Sequence, residues 1–400
     1  MTVRQPDPAT FHVLDVRAIW VKEFASALSR RVPTLGWLPH ISNVGCFRNH
    51  ESPETLSDPQ LDMRHFPLQR GFSRPGICGL LREHVRIVDR LNRSCRQSTN
   101  SPIICTTPAY ASTAERWAGP VIYYVTDAFA FPGYTDEPEY IIRLDRRMCR
   151  RADMVFPNSQ RIADYLISQA QCPEEKTLIL PNATRAANLL PAPLLEPSEA
   201  PSDIADLPRP IAGVIGNLAA NMDWELLHEG VERTPWLSWA FVGPTDMPVS
   251  DSKQRSYRAQ LMTLRGRVRF TGYKGYGELG GYARAVNAAV LPYRKSEPTF
   301  SGSATRFYEH LAACRPIIAT MGFEELLHKE PLLQLVDSAE QLVKALDDLK
   351  ATSFRDGRER LRWERSKEET WEARGETMLR TLALRSANQQ VSVPSACRNS

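Results

Sequence analysis

The sequence predicts an α/β protein built of two doubly wound halves that face each other. Three observations carry this prediction. Apolar, β-branched runs of strand length alternate with stretches of helical period in both halves. The runs are continuous rather than alternating, as strands covered on both faces of a parallel sheet must be. Between the halves lies "LLPAPLLEPSEAPSDIADLPRP" (189–210), a proline-rich, semi-extended linker composition poor in core residues.

In the first half "HVLDV" (12–16) reads as a strand, and "IWVKEFASALSRR" (19–31) as a helix with basic residues in its last turn. "PTLGWLP" (33–39) is the next strand. Residues 40–76, rich in His, Arg, Pro and Ser, read as loop or short elements, and "HVRIVDRLNRSCRQ" (84–97) as helix. "PIICTTP" (102–108) and "PVIYYVTDAF" (120–129) are buried strands. "DEPEYIIRLDRRMCRRA" (136–152) reads as helix, "DMVFPNS" (153–159) as strand, "QRIADYLISQAQ" (160–171) as helix and "KTLILPNA" (176–183) as strand.

The alternation restarts after the linker. Strands are expected at "PIAGVIGN" (210–217), "LSWAFVGP" (237–244), "VRFTGY" (268–273), "NAAVLPYR" (287–294) and "PIIAT" (316–320). Helices are expected at 222–235, 255–266, within 275–286, at "RFYEHLAAC" (306–314) and at 338–350, with two more in 353–386. The tail "ANQQVSVPSACRNS" (387–400) reads as disordered.

Composition narrows the class. A chain of 400 residues exceeds what one compact core organises. Its 42% hydrophobic and 24% charged content is that of a soluble globular protein. No apolar run approaches the roughly 18 residues that span a bilayer, and the opening lacks an apolar signal core; a cytoplasmic location is expected. The eight cysteines form no C-x-x-C pair and have no histidine at metal spacing, so reduced structural thiols and no metal site are expected. A net charge of +4 is too modest to suggest nucleic acid. "RRMCRR" (146–151) suits an anionic partner, such as the inner membrane surface in peripheral contact or a phosphorylated substrate, and equally a solvated helix face.

In open parallel sheets ligands bind beyond the carboxyl ends of the strands, so the loops there carry the chemistry. In "KSEPTFSGSATRFYEHLAAC" (295–314), Ser301, Gly302, Ser303 and Thr305 precede or open a helix whose free N–H groups suit a phosphate. Arg306 in the first turn is electrostatically odd unless it meets an anion. Glu309, three residues on, can accept from ribose hydroxyls. The competing readings are an ordinary cap and an Arg306–Glu309 ion pair. Gly216 with Asn217, and Gly243, end strands in tight turns and by themselves prove no nucleotide site. Gly272 allows close backbone approach, and Tyr273 can cover a flat base. Asp127, at the end of "VIYYVTD", either orients a hydroxyl or acts as a base, or caps the next segment.

The ordered set "VIYYVTDAFAFPG", "ADMVFPNSQRIADYL", "LPNATR", "GVIGNLAANMDWELL", "FVGP", "VRFTGYKGYGELGGYARAVNAAVLPY", "SGSATRFYEHLAACRPIIAT" and "ETWEARGETML" covers about residues 120–380. It resembles the large retaining glycosyltransferase family of the GT-B fold, the family 4-like or group 1 enzymes. The resemblance implies an acceptor domain at 1–200, a donor domain at 208–367, and a helix near 368–385 that returns to the first domain. It implies transfer of a sugar from a nucleoside diphosphate sugar, UDP-linked in the first instance and GDP-linked in the second, to a glycan, lipid-linked or small-molecule hydroxyl, with no cofactor and no metal. Glu309 would bind the donor ribose, 301–305 would cradle the diphosphate with Arg306, Phe300 and Arg294 would flank it, and Tyr273 would meet the base. Asp127 would face the donor sugar, and Thr126 stands where many members have His. Ser301 replaces a frequent acid, for which Glu297 is the nearby substitute. Asn217 and Asn221 replace an Arg and a Lys, leaving positive charge to Arg306, Arg294 or Lys295; Asn287 replaces a frequent Asp. Two other readings stay open: a nucleotide-sugar epimerase, which would act without acceptor, and a non-catalytic sugar-nucleotide-binding partner.

Overall fold

The computed structural model describes residues 9–42, 61–69, 83–95 and 101–391. They form two six-stranded sheets. The first contains β1 (Phe11–Leu14), β2 (Thr34–Ser42), β3 (Asp62–Gln69), β4 (Ile103–Cys105), β5 (Val121–Val125) and β6 (Met154–Pro157), in the order β3-β2-β1-β4-β5-β6. The second contains β7 (Ile211–Ile215), β8 (Ser238–Val242), β9 (Val268–Phe270), β10 (Ala288–Leu291), β11 (Ile317–Thr320) and β12 (Gln334–Val336), in the order β12-β11-β10-β7-β8-β9. Every pairing is parallel. The strand order therefore reverses between β1 and β4, and again between β7 and β10, which are the two places where a crevice opens.

Twelve α-helices flank the sheets among the described residues. The first half carries α1 (Ile19–Ser29), α2 (Glu83–Ser94), α3 (Ala111–Arg116), α4 (Pro138–Arg151) and α5 (Gln160–Ser168). The second carries α6 (Trp224–Arg233), α7 (Ser252–Thr263), α8 (Leu279–Ala285), α9 (Thr305–Ala312), α10 (Ala339–Ala351) and α11 (Glu359–Ser366), and α12 (Trp371–Val391) follows. Side-chain caps explain several starts. Ser159, Asp223, Asp251 and Ser338 accept from backbone N–H groups of the first turns of α5, α6, α7 and α10.

Each sheet is covered on both faces. Phe24, Trp371 and Met378 pack one face of the first sheet, bringing α12 onto α1, while Tyr110, Met148 and Ile162 pack the other. Trp224, Trp239, Phe307 and Leu346 cover one face of the second sheet. The other face includes Ile204 and Leu207, so the proline-rich connection is not bare linker: these two side chains are buried in a core.

Four further departures have physical reasons. β3 lies inside the stretch read as loop. It is an edge strand, where Pro67 costs no ladder bond and charged residues face outward. "KTLILPNA" forms no strand; it runs along β6 with one bridge at Thr177 and bonds from Leu178 and Leu180 N–H to Val155 and Pro157 oxygens. β12, not anticipated, pairs only with β11 at the sheet edge. α12 continues through Val391, past the start of the segment read as disordered; 392–400 lie outside the described residues, as do Cys46, Cys78 and Cys397.

Candidate functional site

A cleft of about 810 Å³ lies between the carboxyl ends of the two sheets and is lined by residues of both. On the second-domain side it takes in Gly216, Asn217, Gly243, Gly272, Tyr273 and Arg306; Gly302, Ser303 and Thr305 line it too. Asp127 and Thr126 face it from the first domain. These expected residues, drawn from five separate loops, meet in one cavity. Glu309, Ser301, Phe300 and Arg294 do not line it.

The floor depends on backbone proximity. A Cβ on Gly243 (φ +147) would stand 1.8 Å from the Gly216 oxygen, so the turns after β7 and β8 touch backbone to backbone and only glycine fits.

Arg306 opens α9 on the cleft wall. Its guanidinium lies 5.5 Å from the Tyr276 ring centroid. Its Nη1 is buried without a hydrogen-bond partner, and it has no ion-pair partner among the described residues. The other cleft cations are paired: Arg17 with Asp15 at 2.5 Å, and Lys274 with Asp203 at 2.7 Å. A buried donor left unmatched costs about 1–3 kcal/mol, which an anion bound beside it would recover.

The loop before α9 differs from the expected amide cradle. Ser301 and Gly302 N–H donate to the Pro298 and Thr299 oxygens, and Thr305 N–H to the Ser303 oxygen. Ala304 N–H donates to Glu325 Oε2 at 2.8 Å. These four amides are engaged within the chain, and the Arg306 side chain stands beside them as the charged donor. The helix has no Ser or Thr cap either: Ala304 holds that position, and the buried Glu325 does the work.

Glu309 is 1% exposed. Its Oε1 accepts from Tyr276 Oη at 2.6 Å, and its Oε2 from Asn188 Nδ2 at 2.7 Å. Burial raises its pKa, against the pull of Arg306 and of the Tyr276 and Thr184 hydroxyls. It therefore forms neither the Arg306 ion pair nor a cleft surface; it is a buried junction behind Tyr276. Ser301 is also fully buried. Its hydroxyl donates to Glu297 Oε2 at 2.6 Å and accepts from Arg161 Nε at 3.0 Å. Glu297 in turn pairs with Arg161 at 2.9 Å. Glu297 thus does not restore an acid to the cleft; both residues fasten the loop to the first domain. Phe300 lies between Arg161 and Lys295, each 5.0 Å from its ring centroid. Arg294 pairs with Asp251, the α7 cap, at 3.3 Å. Asn287 accepts from Ile211 N–H at 2.9 Å and holds the start of β7.

Asp127 lies two residues beyond the end of β5, at the cleft. Its Oδ2 accepts from Tyr134 Oη at 2.5 Å and its Oδ1 from Ala128 N–H at 3.0 Å. Burial raises its pKa above the usual carboxylate range, and those two bonds oppose the rise. Reading the sequence missed Arg17, Trp20, Tyr134, Asn182 and Tyr276, all on the cleft wall. Arg17 had a signal, since "DVR" follows the first strand directly. Trp20 reads only as an apolar helix position, and Tyr134 lies in a loop with no pattern.

Two parallel, doubly wound domains with the cleft between their strand ends define the GT-B architecture. Solved structures share it along nearly the whole chain. HepE of Anabaena, crystallised with UDP-glucose, superposes with a TM-score of 0.66 at 16% identity, covering 94% of this chain and 99% of its own. An α,α-trehalose-phosphate synthase (UDP-forming) of Burkholderia vietnamiensis gives 0.67 at 11% identity, with 95% and 100% covered. A glycosyltransferase of Rickettsia africae gives 0.64 at 10% identity, with 94% and 98% covered. No family model and no curated protein sequence matches the chain. No helix among the described residues is long and apolar enough to cross a membrane.

Proposed function

We propose that the protein is a retaining glycosyltransferase that moves a sugar from a UDP-sugar to a hydroxyl acceptor. The observation that carries the reading is Arg306, a cleft cation at a helix N-terminus with a buried, unpartnered Nη1. It lies between the strand ends of two domains whose arrangement matches structures solved with UDP and UDP-glucose. In this reading Arg306 meets the donor diphosphate and stabilises the charge that grows as it leaves. Tyr273, 54% exposed at the cleft, covers the base. Glu309 holds Tyr276 in place beneath Arg306 rather than touching the ribose. The bond from the sugar C1 to the diphosphate oxygen breaks while the acceptor oxygen bonds to C1 on the same face. The acceptor proton passes to the departing phosphate, and Asp127 orients the acceptor hydroxyl. Contact between the domains excludes water and limits hydrolysis.

The test is a thermal-shift panel of UDP, GDP, TDP and ADP. At 100 times its Kd a nucleotide stabilises the fold by about 2.7 kcal/mol. UDP should shift the transition, and Arg306→Ala should weaken UDP by roughly ten- to a hundredfold, as loss of a charge-assisted bond does. No shift with any of the four would remove the donor site. UDP binding without sugar transfer would favour the non-catalytic reading.

A further inference from the structure

A second cavity of about 360 Å³ opens off the cleft on the first-domain side. Its walls come from the carboxyl ends of three adjacent strands: Asp15 and Arg17 after β1, Thr106 and Thr107 after β4, Thr126 and Asp127 after β5. Trp20, Phe129 and Tyr134 close it. Arg17, Trp20, Thr126, Asp127 and Tyr134 line both cavities, so the two are contiguous and Asp127 stands where they meet.

The chemistry of this pocket is distinctive. Arg17 is the only cation among its lining residues, and Asp15 and Asp127 are its acids, so the formal charge is +1 − 2 = −1. Arg17 Nε and Nη2 donate to Asp15 Oδ1 and Oδ2 at 2.6 and 2.5 Å, a bidentate pair that spends the fork on a carboxylate already in the protein. A phosphate monoester, with about −1.5 to −2 charges at neutral pH, would meet a net negative wall. The remaining groups suit hydroxyls. Thr106 Oγ1 gives its proton to the Leu14 oxygen at 2.8 Å and is left an acceptor. Trp20 Nε1–H is buried without a partner among the described residues and is a donor in search of an oxygen. The aromatic walls offer apolar surface to the C–H face of a ring.

We propose that this pocket binds the acceptor as an uncharged sugar residue and discriminates against its phosphorylated form. The assignment rests on the glycosyltransferase reading for the word acceptor, but the ligand class is read from the pocket itself. The test is ligand-observed NMR titration of glucose, galactose, mannose and N-acetylglucosamine, each beside its 6-phosphate, with UDP saturating so that Arg306 is not a competing anion site. At least one uncharged sugar should bind saturably, and its 6-phosphate at least tenfold more weakly. Asp15→Asn removes one negative charge and the ion pair with Arg17; Asn tolerates the left-handed backbone there (φ 69). That variant should lose most of the discrimination, and Arg17→Ala should keep it. Equal or tighter binding of the phosphorylated form by the unaltered protein, or no binding of any uncharged sugar, overturns the proposal. The titration is repeated without UDP, so absence of a UDP shift would sink the donor reading while leaving the pocket's ligand class measurable.

Discussion

A buried carboxylate on α4 couples this fold to pH. Asp145 on α4 accepts from Tyr123 Oη at 2.5 Å and Tyr165 Oη at 2.6 Å. Burial outweighs these donors and raises its pKa from 3.8 to about 6. The native state therefore holds the proton more tightly than the unfolded chain. As pH rises from about 4 to 6 the unfolded state releases its proton first, and the fold loses roughly 3 kcal/mol from this group by linkage. Asp145→Asn has no charge to bury, so its stability relative to wild type should improve by up to that amount between pH 4 and 7. Urea midpoints at the two pH values check this; a constant difference would contradict it. Glu309 shows what a local reading of sequence cannot see. Its spacing from Arg306 is plain in the sequence. The groups that take its oxygens are not, since Tyr276, Thr184 and Asn188 are 33, 125 and 121 residues away. The same holds for Ser301: its place in the motif is legible, but its tie to Arg161, 140 residues distant, is a product of the fold.

Among the elements, strands buried on both faces announce themselves as apolar runs, and the cleft-forming strands are legible for that reason. β3 is not, because an edge strand carries polar residues and proline without penalty. α12 is a different case. Its helical pattern is readable, but which core it enters depends on tertiary packing. Trp371, 1% exposed, packs with Phe24 in the first-domain core, whereas Leu384 on the same helix is 62% exposed. Trp371→Ala should cost about 3–5 kcal/mol and Leu384→Ala within about 0.5 kcal/mol. Chemical denaturation of both variants distinguishes them; similar losses would mean that α12 does not anchor through its first turn.

At the scale of the whole molecule, the two domains are fastened along the loop that precedes α9. Ser159 Oγ donates to the Ser301 oxygen at 2.6 Å, Asn182 Nδ2 donates to Thr305 Oγ1 at 2.8 Å, and Arg161 pairs with Glu297. The Arg161–Glu297 pair is partly exposed, with side chains 40% and 23% accessible, so its loss should cost no more than about 1 kcal/mol of stability. Its effect on shape should be larger: Arg161→Ala should increase the radius of gyration in solution scattering without UDP and return toward the wild-type value with UDP. An unchanged profile would show that the remaining bonds suffice. The chain crosses between the domains twice, and the crossings run side by side: Thr184 N–H donates to the Glu369 oxygen and Trp371 N–H to the Thr184 oxygen, each at 3.0 Å. These two bonds tie the crossings into one connection beside Thr184.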